Sequence, residues 1–504
     1  MRVLPKLRSL ESILRPINRL PTDVFTLIPY YFTDGGREYE AFPMNKPLIT
    51  MTHVCRSWRN VLLSTPTLWT RIDFSTSESK QAEGFLGRSR RQLLDIHQFF
   101  ESEEHVEPFL SATLRNTYRL QRLEITSYLP HLDRVLTRFT RPAPELKHLY
   151  IGNEPGITNK DMRLPNSIFD GQLPKLMSLT FCHLHTDLRS FSFPSLTRFD
   201  FKTGTMISIG NLTSFFERCP LLEFIRIRLS YMPQPPIPPP RRRVCLATLK
   251  ELRFDETACS CGLLDHLTLP NCTEVGLNGM FADEGFGNYR FLAMRIHPSS
   301  IDHLPVTRGI TKAVAMPNAC ILSGPNGNIR FRCLDETHGE LYAEFFTSFA
   351  PISLLEVREL WVGSSDTDPL GTDRSPWGQT AIGVRGVFRA LRKVEDLTIV
   401  SCQTKPFFST LRTAADDRTL LLGLRRLTIF VGCGDLDVLA LIRCAKARKE
   451  HSRSLAEVTV VFEKEPGADL VEALESLREF VGELVYRVGK TPELILQGDG
   501  CELW

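Results

Sequence analysis

From residue 117 onward one short pattern keeps returning, with apolar residues at i, i+3 and i+5 and mostly polar residues between them. It reads Leu120-Leu123-Ile125, Leu146-Leu149-Ile151, Leu176-Leu179-Phe181, Leu196-Phe199-Phe201, Leu222-Ile225-Ile227 and Leu249-Leu252-Phe254. The series continues as Cys272-Val275-Leu277, Ile301-Leu304-Val306, Val357-Leu360-Val362, Val394-Leu397-Ile399, Leu424-Leu427-Ile429 and Leu455-Val458-Val460, twelve triplets in all. Starts lie 20 to 37 residues apart, apart from one interval of 56 that leaves room for a degenerate unit near Ile329 and Phe331. In a chain with 42% apolar residues, about eight such triplets arise by chance over this length, so the count alone decides nothing. The near-regular spacing carries the weight: a chain written this way sets one similar unit after another.

The flanks of the pattern repeat as well. Pro144, Pro174, Pro194, Pro220 and Pro270 each stand just before a triplet and mark a turn. Helical spacing precedes several turns, as in Leu212 with Phe215 and Phe216, Val384 with Val387 and Phe388, and Val438 with Leu439, Ile442 and Ala445. Helix, turn and strand in succession predict an α/β fold with a parallel sheet on the concave face of a curved solenoid, because no single unit can bury its own apolar side. The solenoid is expected over 117–465, with a Pro-rich loop at 232–243 and an irregular stretch at 307–350. The apolar spacing from Asp469 to Val488 predicts a C-terminal capping helix within 466–504.

Within each triplet, the residue between the second and third apolar positions must point away from the core. Those positions hold charges of both signs and no basic stripe, which disfavours a nucleic-acid backbone as ligand. Tyr150, Arg226, Arg253 and Trp361 are the residue types that dominate protein interfaces, and they are the expected target-binding residues. Pro305 falls at the same position in its triplet.

Ahead of the repeats, residues 17–74 read as a small helical module, preceded by a basic N-terminal extension at 1–16 and followed by a connecting region at 75–116. Pro21 suits the first turn of a helix, Asp23 its positive end, and Val24, Leu27 and Ile28 share a face. That helix is expected to stop near Pro29 or soon after. A loop bearing Gly35, Gly36, Pro43 and Pro47 follows, and then a second apolar stripe through Leu48, Met51, Val54, Cys55, Trp58, Val61 and Leu62. So small a unit cannot bury Leu20, Ile28, Trp58 and Trp69 by itself.

Three elements in order resemble an F-box: Leu20-Pro21, then Val54-Cys55 with Trp58-Arg59, then Pro66 with Leu68-Trp69. The module departs from that pattern in Thr22-Asp23 and in a longer loop between residues 30 and 47. The remainder resembles an irregular leucine-rich-repeat protein. Together the two parts resemble the substrate receptors of cullin-based ubiquitin ligases. The resemblance implies docking onto a Skp-type adaptor, and through it a cullin, by Leu20, Pro21, Val24, Ile28, Val54, Cys55, Trp58, Leu68 and Trp69. It also implies an unidentified target protein held by the repeats, with ligase chemistry left to partner subunits. Two other readings stay open: a repeat scaffold whose helical module is only a cap, and an enzyme whose site is assembled from distant loops.

Composition narrows the field further. The net charge of +3, from 61 basic and 58 acidic residues, makes no field toward nucleic acid or an anionic membrane. No apolar run is long enough to span a bilayer, and the opening residues lack a signal peptide's core, so a cytoplasmic or nuclear protein is expected. Thirteen scattered cysteines fit free thiols in a reducing compartment; Cys259 and Cys261 form a lone C-x-C, and neither metal nor cofactor is expected. No phosphate-binding loop, zinc-peptidase motif or nucleophile elbow occurs, so the chain is not expected to be an enzyme. The run Pro235-Pro236-Ile237-Pro238-Pro239-Pro240-Arg241 reads as an extended linker that also fits the P-x-x-P-x-R form read by SH3 domains.

Overall fold

The computed structural model describes residues 19–33, 46–75, 79–128, 132–153, 162–165, 168–203, 207–229, 243–255, 261–278, 280–282, 289–291, 303–316, 319–332, 354–363, 387–389, 391–400, 407–408, 410–411, 421–431 and 436–489. The chain divides into two compact units, Met1–Leu222 and Glu223–Trp504. Each is mixed α/β and is built on a mostly parallel sheet. The N-terminal extension, the Pro-rich run up to Arg242, Cys259 and Val384 lie outside the described residues.

Unit 1 opens with helices α1 (Thr22–Thr33), α2 (Lys46–Thr52) and α3 (Arg56–Ser64) and a 3₁₀ turn at Pro66–Trp69. Helix α1 carries Pro29 inside it and stops soon after, at Thr33, as expected; the ring removes one backbone bond without ending the helix at once. The second stripe is two helices rather than one. The Arg59 guanidinium Nε closes α2 by donating to the Thr52 carbonyl at 2.9 Å, and the Cys55 sulfur starts α3 by accepting from the Trp58 N–H at 3.5 Å. Phe25 meets Trp58 edge-on at 4.8 Å, and Leu48, Met51 and Leu62 are buried beneath them.

Strands β1 (Arg71–Asp73), β2 (Leu94–Phe100), β3 (Leu120–Ser127), β4 (His148–Asn153), β5 (Ser178–Cys182) and β6 (Arg198–Thr203) follow, each parallel to the next. Helices α4 (Ser79–Arg88), α5 (Val106–Leu114) and α6 (Ile209–Glu217) join or follow them. The sheet therefore begins before residue 117, and the connecting region at 75–116 contributes β2, α4 and α5 to it. Leu123, Leu149, Leu179 and Phe199 stand in one register row, and Ile125, Ile151, Phe181 and Phe201 in the next. All eight are buried, which is the predicted alternation realised as stacked core layers. Behind them Phe74, Phe100, Phe109, Phe139 and Phe169 run ring to ring at 5.2 to 6.3 Å.

In unit 2 the described strands of the main sheet are β7 (Phe224–Leu229), β8 (Glu251–Asp255), β9 (Glu274–Asn278), β10 (Lys312–Met316), β11 (Ala319–Gly324), β12 (Gly327–Arg332), β13 (Glu359–Gly363), β14 (Asp396–Val400), β15 (Arg426–Val431), β16 (Glu457–Phe462) and β17 (Glu483–Val488). Their order in space is β7-β8-β9-β12-β11-β10-β13-β14-β15-β16-β17, and only β11 runs against its neighbours. The hairpin turn that inserts β11 needs glycine: Gly327 has φ +123°, and a Cβ there would lie 2.0 Å from the Thr273 carbonyl oxygen. Helix α7 (Val438–Glu450) starts on the Asp437 carboxylate, which accepts from the Ala440 N–H at 2.9 Å, and α8 (Ala468–Glu475) follows.

Eleven of the twelve triplets enter strands as expected. The exception is Ile301-Leu304-Val306: Pro305–Thr307 is a 3₁₀ turn, because proline cannot donate to a central ladder. Its place beside β9 is taken by β12, with Ile329 opposite Val275 and Phe331 opposite Leu277, so the degenerate unit is a real strand. Of the irregular stretch at 307–350, the described part forms β10, β11 and β12.

Two helical expectations also change. The capping helix expected from Asp469 to Val488 ends at Glu475, passes through a 3₁₀ turn at Ser476–Glu479, and gives way to β17 paired with β16. Leu470, Leu474 and Leu477 keep helical spacing, but Val485 and Val488 favour extended backbone. In α7, Leu439 is exposed, and the buried face is Val438, Leu441, Cys444, Ala445 and Arg448.

Candidate functional site

The helical module carries an unusual share of exposed apolar side chains. Leu20, Val24, Leu27, Val54 and Leu63 are between 38% and 58% exposed, although all lie in one short segment. Val24 and Leu27 follow one another at helical spacing and so share a side of α1, with Leu20 just ahead of its first turn. Pro21 is exposed, and Ile28, Cys55, Trp58 and Leu68 are half-buried. Leu63 is the member that sequence reasoning missed, because the neighbouring Leu62 fills the core position and no periodicity marks Leu63.

Trp69 departs from expectation. It is 2% exposed, donates its indole N–H to the Leu62 carbonyl at 2.8 Å and stacks on Phe85 of α4 at 5.2 Å. The Arg88 guanidinium covers it at 4.8 Å. The tryptophan joins the module to α4 instead of facing a partner, since a ring so enclosed has no surface left to offer.

The second surface is the sheet face turned away from the core. In unit 1 one register row holds Asp73, His97, Glu124, Tyr150, Thr180 and Asp200. Asp73 Oδ1 lies 3.2 Å from His97 Nδ1 and also accepts from the Ser75 N–H at 2.9 Å. Burial works to lower the His97 pKa, but the Asp73 hydrogen bond and charge, with Glu124, raise it above its ordinary value. In the adjacent row, burial lifts the Asp95 carboxyl against the pull of Arg122 and Arg71, and burial with Arg122 and Lys147 lowers His148. Tyr150 is half-buried; its hydroxyl donates to Cys182 Sγ at 3.6 Å, and its ring lies on Gly152, where a Cβ would come within 2.9 Å.

In unit 2 the matching row runs Arg226, Arg253, Gly276, Arg330, Ile321, Val314, Trp361, Thr398, Thr428, Thr459 and Val485. Arg226 is half-buried and pairs with Asp255 at 2.5 Å, whose other oxygen accepts from the Asn278 amide at 2.7 Å. Arg253 does not stand out from the sheet as expected. It is 8% exposed, pairs with Glu251, and lays its stem along Gly276, where a Cβ would meet its Cγ at 3.3 Å. The missing side chain at Gly276 lets the arginine lie flat.

Trp361 is half-buried. Its indole donates to Glu359, its ring stacks with Phe430 at 6.4 Å, and the Lys312 ammonium sits 4.4 Å over it and 2.9 Å from Glu359. Beside it Val400, Phe430 and Val461 form a buried apolar cluster with Val314 and Ile321. Arg253 and Trp361 are five strand spacings apart in this row, about 24 Å, so they do not line one pocket.

Burial disfavours the thiolate form of four buried cysteines. Burial pushes Cys219 up to about 11 and Cys272 and Cys444 up to about 12, and raises Cys320 as well. Among the described residues no group of three His, Cys, Asp or Glu could hold a metal ion, and no helix is long and apolar enough to cross a membrane. No protein-family model matches the chain, and no curated protein matches it.

Proposed function

We propose that this chain is the substrate-recognition subunit of a cullin-based ubiquitin ligase, acting in the cytoplasm or nucleus. Its helical module, read as an F-box, binds a Skp-type adaptor. Its repeats, read as irregular leucine-rich-repeat arcs, hold a target protein on the open sheet face. The supporting observation is the concentration of exposed apolar side chains in this short module, Leu20, Val24, Leu27, Val54 and Leu63, which are five of the twelve large apolar residues exposed among the described residues. Soluble monomers rarely leave such residues grouped unless they are covered by a partner. Tyr150, Arg226 and Trp361 are the side chains proposed to meet the target, with Arg253 lying flat on the sheet beside Arg226. The chain itself supplies no catalytic group in this reading.

The test is co-purification with a Skp-type adaptor, comparing wild type with Leu20→Ala combined with Leu27→Asp. Both positions are exposed, so the variant is expected to fold and to lose adaptor capture. Capture at the wild-type level by a folded variant would overturn the assignment and leave a repeat scaffold without a ligase role.

A further inference from the structure

Among the described residues the parallel sheet of unit 2 ends on β17, whose pairing partner is β16, with Glu483 opposite Glu457 through to Val488 opposite Phe462. The odd-numbered residues bond toward β16: the Glu483 N–H reaches the Ala456 carbonyl at 2.8 Å and the Gly489 N–H the Phe462 carbonyl at 2.9 Å. In a parallel ladder a residue sends its N–H and C=O to the same side, and the sides alternate along the strand. Leu484, Tyr486 and Val488 therefore aim their backbone groups away from β16, where no described residue receives them. Proteins normally shield such an edge with proline, lysine, a bulge or a covering helix. The strand Glu483-Leu484-Val485-Tyr486-Arg487-Val488 has no proline or lysine, keeps unbroken register with β16, and leaves Val488 49% exposed.

The edge is also self-complementary. We propose that β17 pairs antiparallel with β17 of a second copy of this chain, about a twofold axis passing between the two Val485 residues. In that register Glu483 faces Arg487 of the other copy, twice by symmetry, on the sheet face turned from the core. Leu484 faces Tyr486 of the other copy, and these are the residues whose backbone groups point outward, so they form the hydrogen-bonded pairs and each exchanges both bonds. Val485 faces its own counterpart across a non-hydrogen-bonded site, where side chains come closest. A shift by one residue mismatches the outward backbone groups and the two faces. A shift by two separates Glu483 from Arg487. Charge and backbone geometry thus select the same register, and the occupant it fits is this chain itself.

An interface on a six-residue strand is small, so the dimer is expected to form and dissociate over about 1 to 200 µM. Sedimentation equilibrium of the full chain across that range is expected to show the average mass rising toward twice the single-chain value. Glu483→Arg or Arg487→Glu alone puts like charges opposite each other twice and is expected to weaken association about tenfold or more. The combined variant, Glu483→Arg with Arg487→Glu, restores both pairs and is expected to associate as wild type does. Both positions are exposed, so unchanged thermal unfolding checks that the variants fold. A wild type that stays monomeric throughout overturns the proposal and leaves the edge to an extended peptide. Single variants that associate like wild type, or a combined variant that does not recover, overturn it equally. The proposal rests on no part of the adaptor reading, since β17 and the helical module belong to different units.

Discussion

Gln98 stands opposite Ile125 in the β2–β3 register with its amide inside the core. Its Nε2 donates to the Phe99 carbonyl at 2.6 Å, while Oε1 is buried with no hydrogen-bond partner. An orphaned buried acceptor costs about 1 to 3 kcal/mol, and Gln98's own row continues in the buried apolar residues Ile125, Ile151 and Phe181. Gln98→Leu is expected to raise unfolding stability by about 1 kcal/mol once the lost Nε2 bond is offset. Urea denaturation of the two proteins decides the matter; a fall in the midpoint would refute it.

The same glutamine explains why β2 was hidden in the sequence. Ile96 and Gln98 occupy the second and third positions of a triplet, and the polar residue breaks a pattern that otherwise marks the sheet. Elsewhere the pattern was legible because each triplet position is buried by the next unit's equivalent, so physics repeats with the sequence. It misled where two periods overlapped, at Leu477 to Val488, and where Pro305 satisfied apolar spacing in a residue that cannot pair. The candidate surfaces were less readable. A sequence says which way Arg253 and Trp69 point along their elements, but not that Gly276 leaves room for the one to lie down or that Phe85 and Arg88 enclose the other.

Trp69→Ala is expected to act on stability rather than on docking. Removing a fully enclosed tryptophan costs about 3 to 5 kcal/mol, and here it also removes the indole bond to the Leu62 carbonyl and empties the seat between Phe85 and Arg88. Chemical denaturation monitored by circular dichroism is expected to show that loss, whereas Val24→Ser, at an exposed site, is expected to leave the midpoint nearly unchanged. Equal stability of Trp69→Ala and wild type would mean the ring is not the joint described.

His97 makes stability depend on pH with a definite sign. Its folded pKa is raised, through Asp73 and Glu124 acting against burial, so the native state binds the proton more tightly than the unfolded chain. The resulting stabilisation is complete below the unfolded value of about 6.5 and is lost as pH rises through the folded value. Asp95, also raised, has the same sign but acts near the carboxylate range, well below this window. The gap in melting temperature between wild type and His97→Gln is therefore expected to be wider at pH 6 than at pH 8.5. A gap that is constant, or that widens with pH, contradicts the Asp73–His97 interaction.

Arg226 and Trp361 lie in one row six strand spacings apart, about 29 Å, so a target that uses both must be extended along the sheet. Residues this far apart act independently. Arg226→Gln leaves the buried Asp255 carboxylate with the Asn278 amide but without its counter-charge, so it is expected to weaken target capture and also to lower stability. Trp361→Ala is expected to weaken capture and also to cost about 1 to 2 kcal/mol of stability, because the ring packs on Phe430 and carries Lys312. Arg253→Ala is the contrasting case: its stem fills the space over Gly276, so its main effect is expected in the melting temperature. Proximity labelling in cells, with adaptor capture as the folding check, reads out the neighbours of each variant. If Arg226→Gln and Trp361→Ala both keep the adaptor and every wild-type neighbour, the sheet face is not where the target binds.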